Sequence, residues 1–333
     1  MSEATTVNIR PEAVSVPTDA AAATDRESWL TLIAAIANEE GSFEPLGPSH
    51  WALFVDDGAT LMVSFETIDQ ARTRAGQMPL AHDIAAARGW SHLCLIADGN
   101  TWYRDPAIWA YFDRLVDDCF FENYDTVLFY GSGMGGYAAC AYAVTSPGAA
   151  VLALNPRTTL SPAEAGWDKR SRTSRRLDFT SRYGYAPDML EGAGRVIVIH
   201  DPTVREEAMH AALFRASFIT RLSARHVGEQ IESTLMQMGV LSDLIEAAVE
   251  GLLDLRTFSR AWRKRRDFTP YLRALLSKAE VASRRDHQIR ICSNVSSRLR
   301  VPRFTKRLAR LLKHKTLGTN YSTDRLELDQ SDQ

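Results

Sequence analysis

Short apolar runs alternate along the chain with longer stretches in which apolar residues return every three or four positions. The short runs are typical of buried strands, and the longer stretches are typical of amphipathic helices. Because the two kinds alternate, the pattern predicts an α/β fold with a mostly parallel, helix-covered sheet. The predicted strands are HWALFVDD and TLMVSFET, read as a first strand pair, then HLCLIAD, DTVLFYG, AAVLALNP, RVIVIHDP and SFITRLSA, with helices IWAYFDRLVDDCF, GYAACAYAVTS and EEAMHAALF between them.

After residue 224 the pattern predicts helices only, in IESTLMQMGVLSDLIEAAVEGLL, FTPYLRALLSKAEVA and RFTKRLARLLKH. A polar excursion at 157–190 interrupts the alternation, and long excursions in compact domains are usually functional or disordered. Its residues Trp167, Tyr183 and Tyr185 favour an ordered cap. We therefore divide the chain into a disordered lead-in (1–26), an α/β domain (27–240), a basic helical region (241–316) and a flexible tail (317–333).

Composition narrows the class of protein. The chain has 333 residues, 45% of them hydrophobic, which is enough for a large core. No apolar run approaches the roughly 20 residues that span a bilayer, and the N-terminus lacks the pattern of a secretory signal. We therefore predict a cytoplasmic protein without a transmembrane segment. The four cysteines are scattered with no CxxC pair, so neither a disulfide framework nor a metal site is predicted. We also predict no cofactor.

The net charge of -2 conceals an uneven distribution. Residues 256–315 contain 19 lysines and arginines against 3 acidic residues, a balance of about +16, so the rest of the chain carries about -18. Basic amphipathic helices can lie on anionic lipid or follow a phosphate backbone. The tail is interpreted either as a solvated face that complements the acidic body or as a surface for a polyanionic partner. Without a groove-reading motif, sequence-specific nucleic-acid binding is not predicted.

The segment FYGSGMGGYAA satisfies two motifs at once. Gly131, Gly133 and Gly136 match G-x-G-x-x-G between a strand and a helix, the setting in which such glycines bind a nucleotide cofactor. That interpretation predicts an acidic residue at the end of the next strand. The next strand ends instead in LNPR, although its Arg157 would suit a 2′-phosphate.

The same letters also match a nucleophile elbow. Read as G-x-S-x-G, residues 131–135 carry Gly133 where the serine would stand, between the small flanks that the sharp turn needs, Gly131 and Gly135. Shifting the frame makes Ser132 the nucleophile but puts a tyrosine and a methionine on the flanks. Ser132 is therefore a poor candidate for a catalytic nucleophile by geometry.

Two downstream residues favour the elbow frame. Asp201 follows the strand RVIVIH, and His226 follows SFITRLSA about 25 residues later, in the order nucleophile, acid, base. With them, YGSGMGGYAA resembles the GSSMGGYAA elbow of the α/β-hydrolase fold superfamily over roughly residues 51–241. The resemblance implies a central sheet of the α/β-hydrolase type with an α-helical C-terminal appendage, and oxyanion donors from the backbone of Met134 and the loop 98–102. Each residue also has a purely structural interpretation. Asp201 could belong to a turn that ends a strand, and His226 could be a surface histidine.

Glycine at position 133 departs from the superfamily pattern. A histidine base beside glycine has no hydroxyl to deprotonate, whereas the turn itself survives with glycine. We therefore predict a degenerate, non-catalytic member that binds an unknown small molecule at the C-terminal strand ends. The alternatives are a weak hydrolase in which His226, oriented by Asp201, activates water, and a nucleotide-binding oxidoreductase.

The chain also resembles proteins sometimes labelled phosphoadenosine phosphosulfate reductase. That family is characterised by an ECGLH-like cysteine motif and an SGG-type nucleotide loop. Neither motif occurs here, since Cys292 lies in RICSNVS. This label is therefore kept only as part of the oxidoreductase alternative.

Overall fold

In the computed structural model, which describes residues 19–313, the strands form one sheet. Its order is β1-β2-β4-β3-β5-β6-β7-β8; the β1/β2 and β2/β4 pairs are antiparallel and the other pairs are parallel. This confirms the predicted α/β fold with a mostly parallel central sheet of the α/β-hydrolase type. The strands are β1 (Gly41–Pro45), β2 (His50–Val55), β3 (Thr60–Thr67), β4 (Ser91–Ala97), β5 (Thr126–Ser132), β6 (Ala150–Leu154), β7 (Arg195–His200) and β8 (Ile219–Ser223).

The order of the first strands differs from the order of their segments in the chain. β4 lies between β2 and β3, so the predicted first pair does not hydrogen-bond to each other. The reason is burial: β3 and β4 are apolar on both faces and belong inside the sheet, whereas β2 is partly exposed. β1 was not predicted, because its sequence GSFEP is short, half exposed and contains glycine and proline, as edge strands often do.

Helices cover both faces of the sheet. The long C-terminal segment predicted as one helix is divided into α8 and α9 at Gly239, which has a φ of 62°. Residues 302–313 are also helical. The labelled helices are α1 (Arg26–Glu40), α2 (Ile68–Arg72), α3 (Leu80–Ala86), α4 (Pro106–Asp117), α5 (Met134–Tyr142), α6 (Pro162–Ala165), α7 (Arg205–Leu213), α8 (Ile231–Gln237), α9 (Leu241–Val249), α10 (Leu255–Trp262), α11 (Thr269–Val281) and α12 (Arg285–Arg298).

Alternate side chains of the strands enter two different cores. On one face, residues such as Val63 pack with α4, α5 and apolar residues of the excursion 157–190. On the other face, residues such as Met62 pack with α3 and with α8 to α12. The helices after residue 240 therefore share a core with the sheet.

A third core lies beside β2 and β4, where α1 and α2 cover the sheet. Ala20 and Ala23, which belong to the predicted lead-in, are buried in it. The rest of the predicted lead-in, residues 1–18, and the whole predicted tail at 317–333 lie outside the described residues. Within residues 19–313, no helix combines the length and apolarity required to cross a membrane.

Candidate functional site

A sharp turn joins β5 to α5. Its central residue, Gly133, has φ 58° and ψ -112°. Residues other than glycine rarely adopt this combination. The Gly133 N–H donates to the carbonyl of Leu154 on the neighbouring strand β6, at 2.8 Å. The strand, strained turn and helix form the local geometry of a nucleophile elbow.

The glycines of this turn differ in how much space surrounds them. A Cβ on Gly131 would lie 2.2 Å from the carbonyl oxygen of Gly135, and one on Gly135 would lie 2.2 Å from that of Phe65. A Cβ on Gly136 would meet the Leu154 oxygen at 3.0 Å, whereas a Cβ on Gly133 would have no described atom within 4 Å beyond those of its chain neighbours. The flanking positions therefore require glycine for space, while position 133 opens onto free volume.

That free volume belongs to a cleft of about 920 Å³ at the C-terminal ends of β3, β5 and β6. Carboxylates and guanidinium groups share its wall, among them Glu207, Glu229 and Arg74. Such a concave site with a few converging polar groups is the usual form of a small-molecule site. Its lining also includes Ser132, Gly133, Asn155, Arg157 and Glu232.

Ser132 lies at the end of β5, opposite Leu154, and borders the cleft half-buried. Within the described part of the chain, its hydroxyl makes no hydrogen bond to a histidine or a carboxylate. A serine nucleophile needs such a base within hydrogen-bond reach. The structure does not bring Ser132 together with a base.

Asp201 is fully buried at the end of β7. One carboxylate oxygen accepts from the backbone and hydroxyl of Thr203, at 2.9 and 2.7 Å, and the other accepts from the Gly228 N–H at 2.7 Å. Burial alone would raise the pKa of Asp201, but these bonds and one from the backbone of His226 lower it. The carboxylate therefore organises the turn after β8 through backbone amides.

His226 lies in that turn with a φ of 71°. His226 lines a second cavity together with residues of α11 and α12, and this cavity shares no lining residue with the Gly133 cleft. Burial, followed by the charge of Lys278, lowers the pKa of His226, whereas the charge of Asp201 raises it. The structure thus brings the Asp201 carboxylate to the backbone of His226 but places His226 and Gly133 on different cavities.

In the loop 98–102, from which the resemblance predicts an oxyanion donor, one backbone N–H is already hydrogen-bonded. The Trp102 N–H donates to the Met134 sulfur at 3.1 Å. β3, not β4, is the neighbour of β5, and the loop after β3 is the one that supplies an oxyanion donor in this fold. The cleft is bordered by Thr67, the last residue of β3, and by Gln70 of α2. The sequence did not indicate these two residues, because the order of the strands in the sheet could not be read from the chain.

A carboxyl with a perturbed pKa borders the cleft from α8. Glu232 accepts from the Tyr130 hydroxyl at 2.6 Å. Burial, with repulsion from Glu66, raises its pKa to about 7, although Tyr130 and Arg74 act in the opposite direction. A carboxyl that titrates near neutrality in a cleft is a candidate functional group. No sequence motif indicated it.

A second buried network lies behind Arg157. The Thr158 N–H donates to Nδ1 of His210, so Nε2 carries the proton and donates to Asp168 at 3.1 Å. Arg170 pairs with Asp168 at 2.8 Å and also with Glu207. The bond from Thr158 fixes the tautomer of His210. Burial lowers the pKa of His210, whereas the hydrogen bond and charge of Asp168 act in the opposite direction.

Three nearly buried side chains of the cleft wall each carry one polar atom without a partner in the described part of the chain. They are Trp102 (Nε1), Asn155 (Oδ1) and Glu207 (Oε2). Buried polar atoms are nearly always hydrogen-bonded, to protein or to water. The cleft therefore has unused hydrogen-bonding capacity close to its surface.

The nucleotide-binding interpretation predicts an acidic residue at the end of β6, but no acidic residue stands there. Asn155 stands there, and its side-chain amide donates to the carbonyl of Gly228 at 3.2 Å. The Arg157 guanidinium lies 5.1 Å from the centre of the Trp102 ring and donates to the Ser171 hydroxyl. A Cβ on Gly131 or Gly136 would meet backbone atoms, whereas position 133 faces the cleft.

Comparison with known proteins gives structural similarity only. No family model matches the chain, and no curated protein matches it. Solved structures similar to it include the capsule O-acetyltransferase of Neisseria meningitidis serogroup A, with 16% identity, a TM-score of 0.39 and coverage of 62% of this chain and 98% of that chain.

Two others are hydrolases. An esterase domain from a Rhodothermus marinus protein has 16% identity and a TM-score of 0.37, covering 65% of this chain and 92% of that chain. An S-formylglutathione hydrolase from Agrobacterium tumefaciens has 13% identity and a TM-score of 0.37, with coverages of 62% and 92%. At these values, the similarity assigns neither a residue role nor a substrate to this chain.

Proposed function

We propose that this chain is an α/β-hydrolase-type protein that binds a small molecule in the Gly133 cleft without acyl-transfer chemistry. The observation that carries the proposal is the elbow itself: Gly133 holds the strained central position, opens onto free volume and offers no nucleophilic atom. The sharp turn is retained, whereas its reactive group is absent.

The surroundings of Asp201 and His226 support the same proposal. Catalysis by a triad requires the histidine ring to reach both the nucleophile and the acid. Here the Asp201 oxygens accept hydrogen bonds from backbone amides and Thr203, and His226 lines a cavity that shares no lining residue with the Gly133 cleft. A water molecule activated by Asp201 and His226 would therefore lie away from Gly133.

A second candidate function is weak hydrolysis by water, and one observation favours it. Glu232 borders the same cleft as Gly133, and its pKa is raised to about 7, which is suitable for a general base at neutral pH. The free volume above Gly133 is large enough for a water molecule. Glu232 rather than His226 would then be the base.

Turnover of p-nitrophenyl acetate, with reaction towards a fluorophosphonate probe, tests the proposal. We expect wild type to show neither turnover above buffer nor covalent labelling, and Ser132→Ala to be indistinguishable from it. Gly133→Ser adds a hydroxyl at this turn, but a serine needs a base within hydrogen-bond reach, so we expect this variant to remain unlabelled as well; labelling would show that a base reaches the turn. Intact-protein mass spectrometry measures the adduct.

Wild-type turnover that disappears in Ser132→Ala would show that Ser132 is a nucleophile and would overturn the proposal. Turnover that survives Ser132→Ala but is lost in Glu232→Gln would establish the water mechanism instead. His226→Asn is the matched control, because asparagine tolerates the left-handed φ of that position. We expect it to leave cleft chemistry unchanged.

A further inference from the structure

The second cavity, of about 390 Å³, lies between the turn after β8 and the helices α11 and α12. Every ionisable side chain that lines it is basic, and its other lining residues are alanine, leucine and isoleucine. A concavity whose charges have one sign attracts the opposite charge. The basic residues are His226, Lys278, Arg284, His287 and Arg290.

The start of α12 adds a further positive contribution. This helix has 14 residues, and its N-cap residue, Arg284, makes no side-chain hydrogen bond to the first-turn amides. Such amides and the helix dipole favour an anion near an N-terminus. Arg284, His287 and Arg290, from the cap and first turns, line the cavity.

The acidic residues nearby do not neutralise the cavity. Glu280 forms an ion pair with Arg307 at 3.0 Å. The Asp201 oxygens accept from Thr203 and Gly228. Asp286 lies in the first turn of α12 but does not line the cavity. The basic groups therefore meet no carboxylate inside the concavity.

Asp201 acts as a positioning residue for this cavity. Its bonds to the backbone of His226 and Gly228 fix the turn in which His226 adopts its left-handed φ. Lys278 Nζ then donates to the His226 carbonyl at 3.3 Å, which joins α11 to the same turn. His226 thereby lines this cavity and not the Gly133 cleft.

We propose that this cavity binds the phosphate monoester of a small molecule. Arginine pairs with two phosphoryl oxygens at once, and lysine and imidazolium donors complete the set. The volume and the apolar floor fit a compact phosphorylated molecule better than a flat lipid surface. The proposal is independent of the chemistry in the Gly133 cleft.

Calorimetric titration of the full chain with phenyl phosphate tests this site, with phenol at the same ionic strength as the uncharged probe. We expect saturable binding of phenyl phosphate and none of phenol. The double variant Arg284→Ala/Arg290→Ala should weaken binding at least about tenfold. The matched control Arg256→Ala/Arg260→Ala removes two exposed charges of α10 outside the cavity, and should change affinity less than about twofold.

Absence of saturable binding, or equal weakening in both double variants, would overturn the proposal, because diffuse positive charge would then explain the data. Binding to vesicles containing phosphatidic acid but not to phenyl phosphate would overturn it in favour of a membrane headgroup. In nuclear magnetic resonance titrations, phenyl phosphate should shift the His226 imidazole signals. An unmoved His226 signal at saturation would place the ligand elsewhere.

Discussion

At the scale of single residues, the elbow separates two reasons for glycine. Gly131 is enclosed by the backbone of Gly135, so any side chain there collides. Gly133 has open space but a φ of 58°. The sequence predicted both glycines as parts of one motif, yet only the structure distinguishes a packing requirement from a conformational one.

Alanine substitution should therefore affect the two positions differently. We expect Gly133→Ala to lower the free energy of unfolding by about 1–3 kcal/mol through backbone strain. Gly131→Ala should cost at least about 3 kcal/mol, because its Cβ would overlap main-chain atoms that cannot rotate away. Urea denaturation measures both. Equal losses would contradict the assignment of space at one position and strain at the other.

The order of residues along the chain proved less informative about the candidate site than their positions in the fold. The chain order of Asp201 and His226 correctly indicated that both follow strands, but order does not define the direction of a ring. The Asp168–His210 contact joins residues 42 positions apart, and no local sequence pattern predicts such a contact. Physical neighbours of this kind depend on how α7 and the excursion pack.

At the scale of elements, one arginine attaches the excursion 157–190 to the body of the protein. Arg104, just before α4, is nearly buried. Its guanidinium donates to the carbonyls of Asp178 and Arg182, both at 2.6 Å, and to the Ser181 hydroxyl at 3.0 Å. The planar fork satisfies three acceptors of one loop, which orders a segment that has little regular structure.

Arg104→Lys should loosen this segment while preserving the charge. We expect a loss of about 2–3 kcal/mol in the free energy of unfolding, since an ammonium group cannot replace the fork and leaves buried acceptors unpaired. Amides of residues 178–186 should exchange hydrogen faster in mass spectrometry. Arg114→Ala, which removes an exposed ion pair with Glu44, is the control and should cost less than about 1 kcal/mol.

The apolar pattern predicted the strands from β2 to β8. Strands β3 to β7 bury continuous runs, whereas β8 buries only Ile219 and Leu222. Their spatial order was not predicted, since pairing of β4 with both β2 and β3 is a long-range property. The same long-range property decides which loop lies beside the turn after β5, so the oxyanion donor expected from loop 98–102 stays a prediction. Breaks between helices depended on single residues such as Gly239.

At the scale of the whole molecule, the C-terminal helices share a core with the sheet, and the two cavities differ in the charge of their walls. The basic helices pack on the same sheet that carries the cleft, and carboxylates contribute to the cleft wall while only basic ionisable groups line the second cavity. Ligand binding at either site should therefore add to the stability of the entire fold.

Stability should also depend on pH through Glu232. Its pKa is raised from an ordinary 4.5 to about 7, so the folded protein retains a proton that the unfolded chain releases. Stability consequently falls as the pH rises from 4.5 to 7. Glu232→Gln should remove this loss and gain about 2 kcal/mol over wild type at pH 8, with little difference at pH 4.

Thermal and urea denaturation at both pH values measure this effect. The exposed Glu250→Gln is the matched control and should give the same difference from wild type at pH 4 and pH 8. If Glu232→Gln were less stable than wild type at pH 8, the carboxylate would be stabilising in the folded state, contrary to its burial beside Glu66.

The thiols offer a practical consequence. Burial raises the pKa values of Cys94, Cys140 and Cys292, whereas Cys119 is exposed. Cys119 follows α4 and lines a cavity with Thr126, at the start of β5 and thus at the opposite end of that strand from the elbow. A maleimide fluorophore should therefore attach once per native molecule, giving an optical reporter that leaves the Gly133 cleft and the His226 cavity unobstructed.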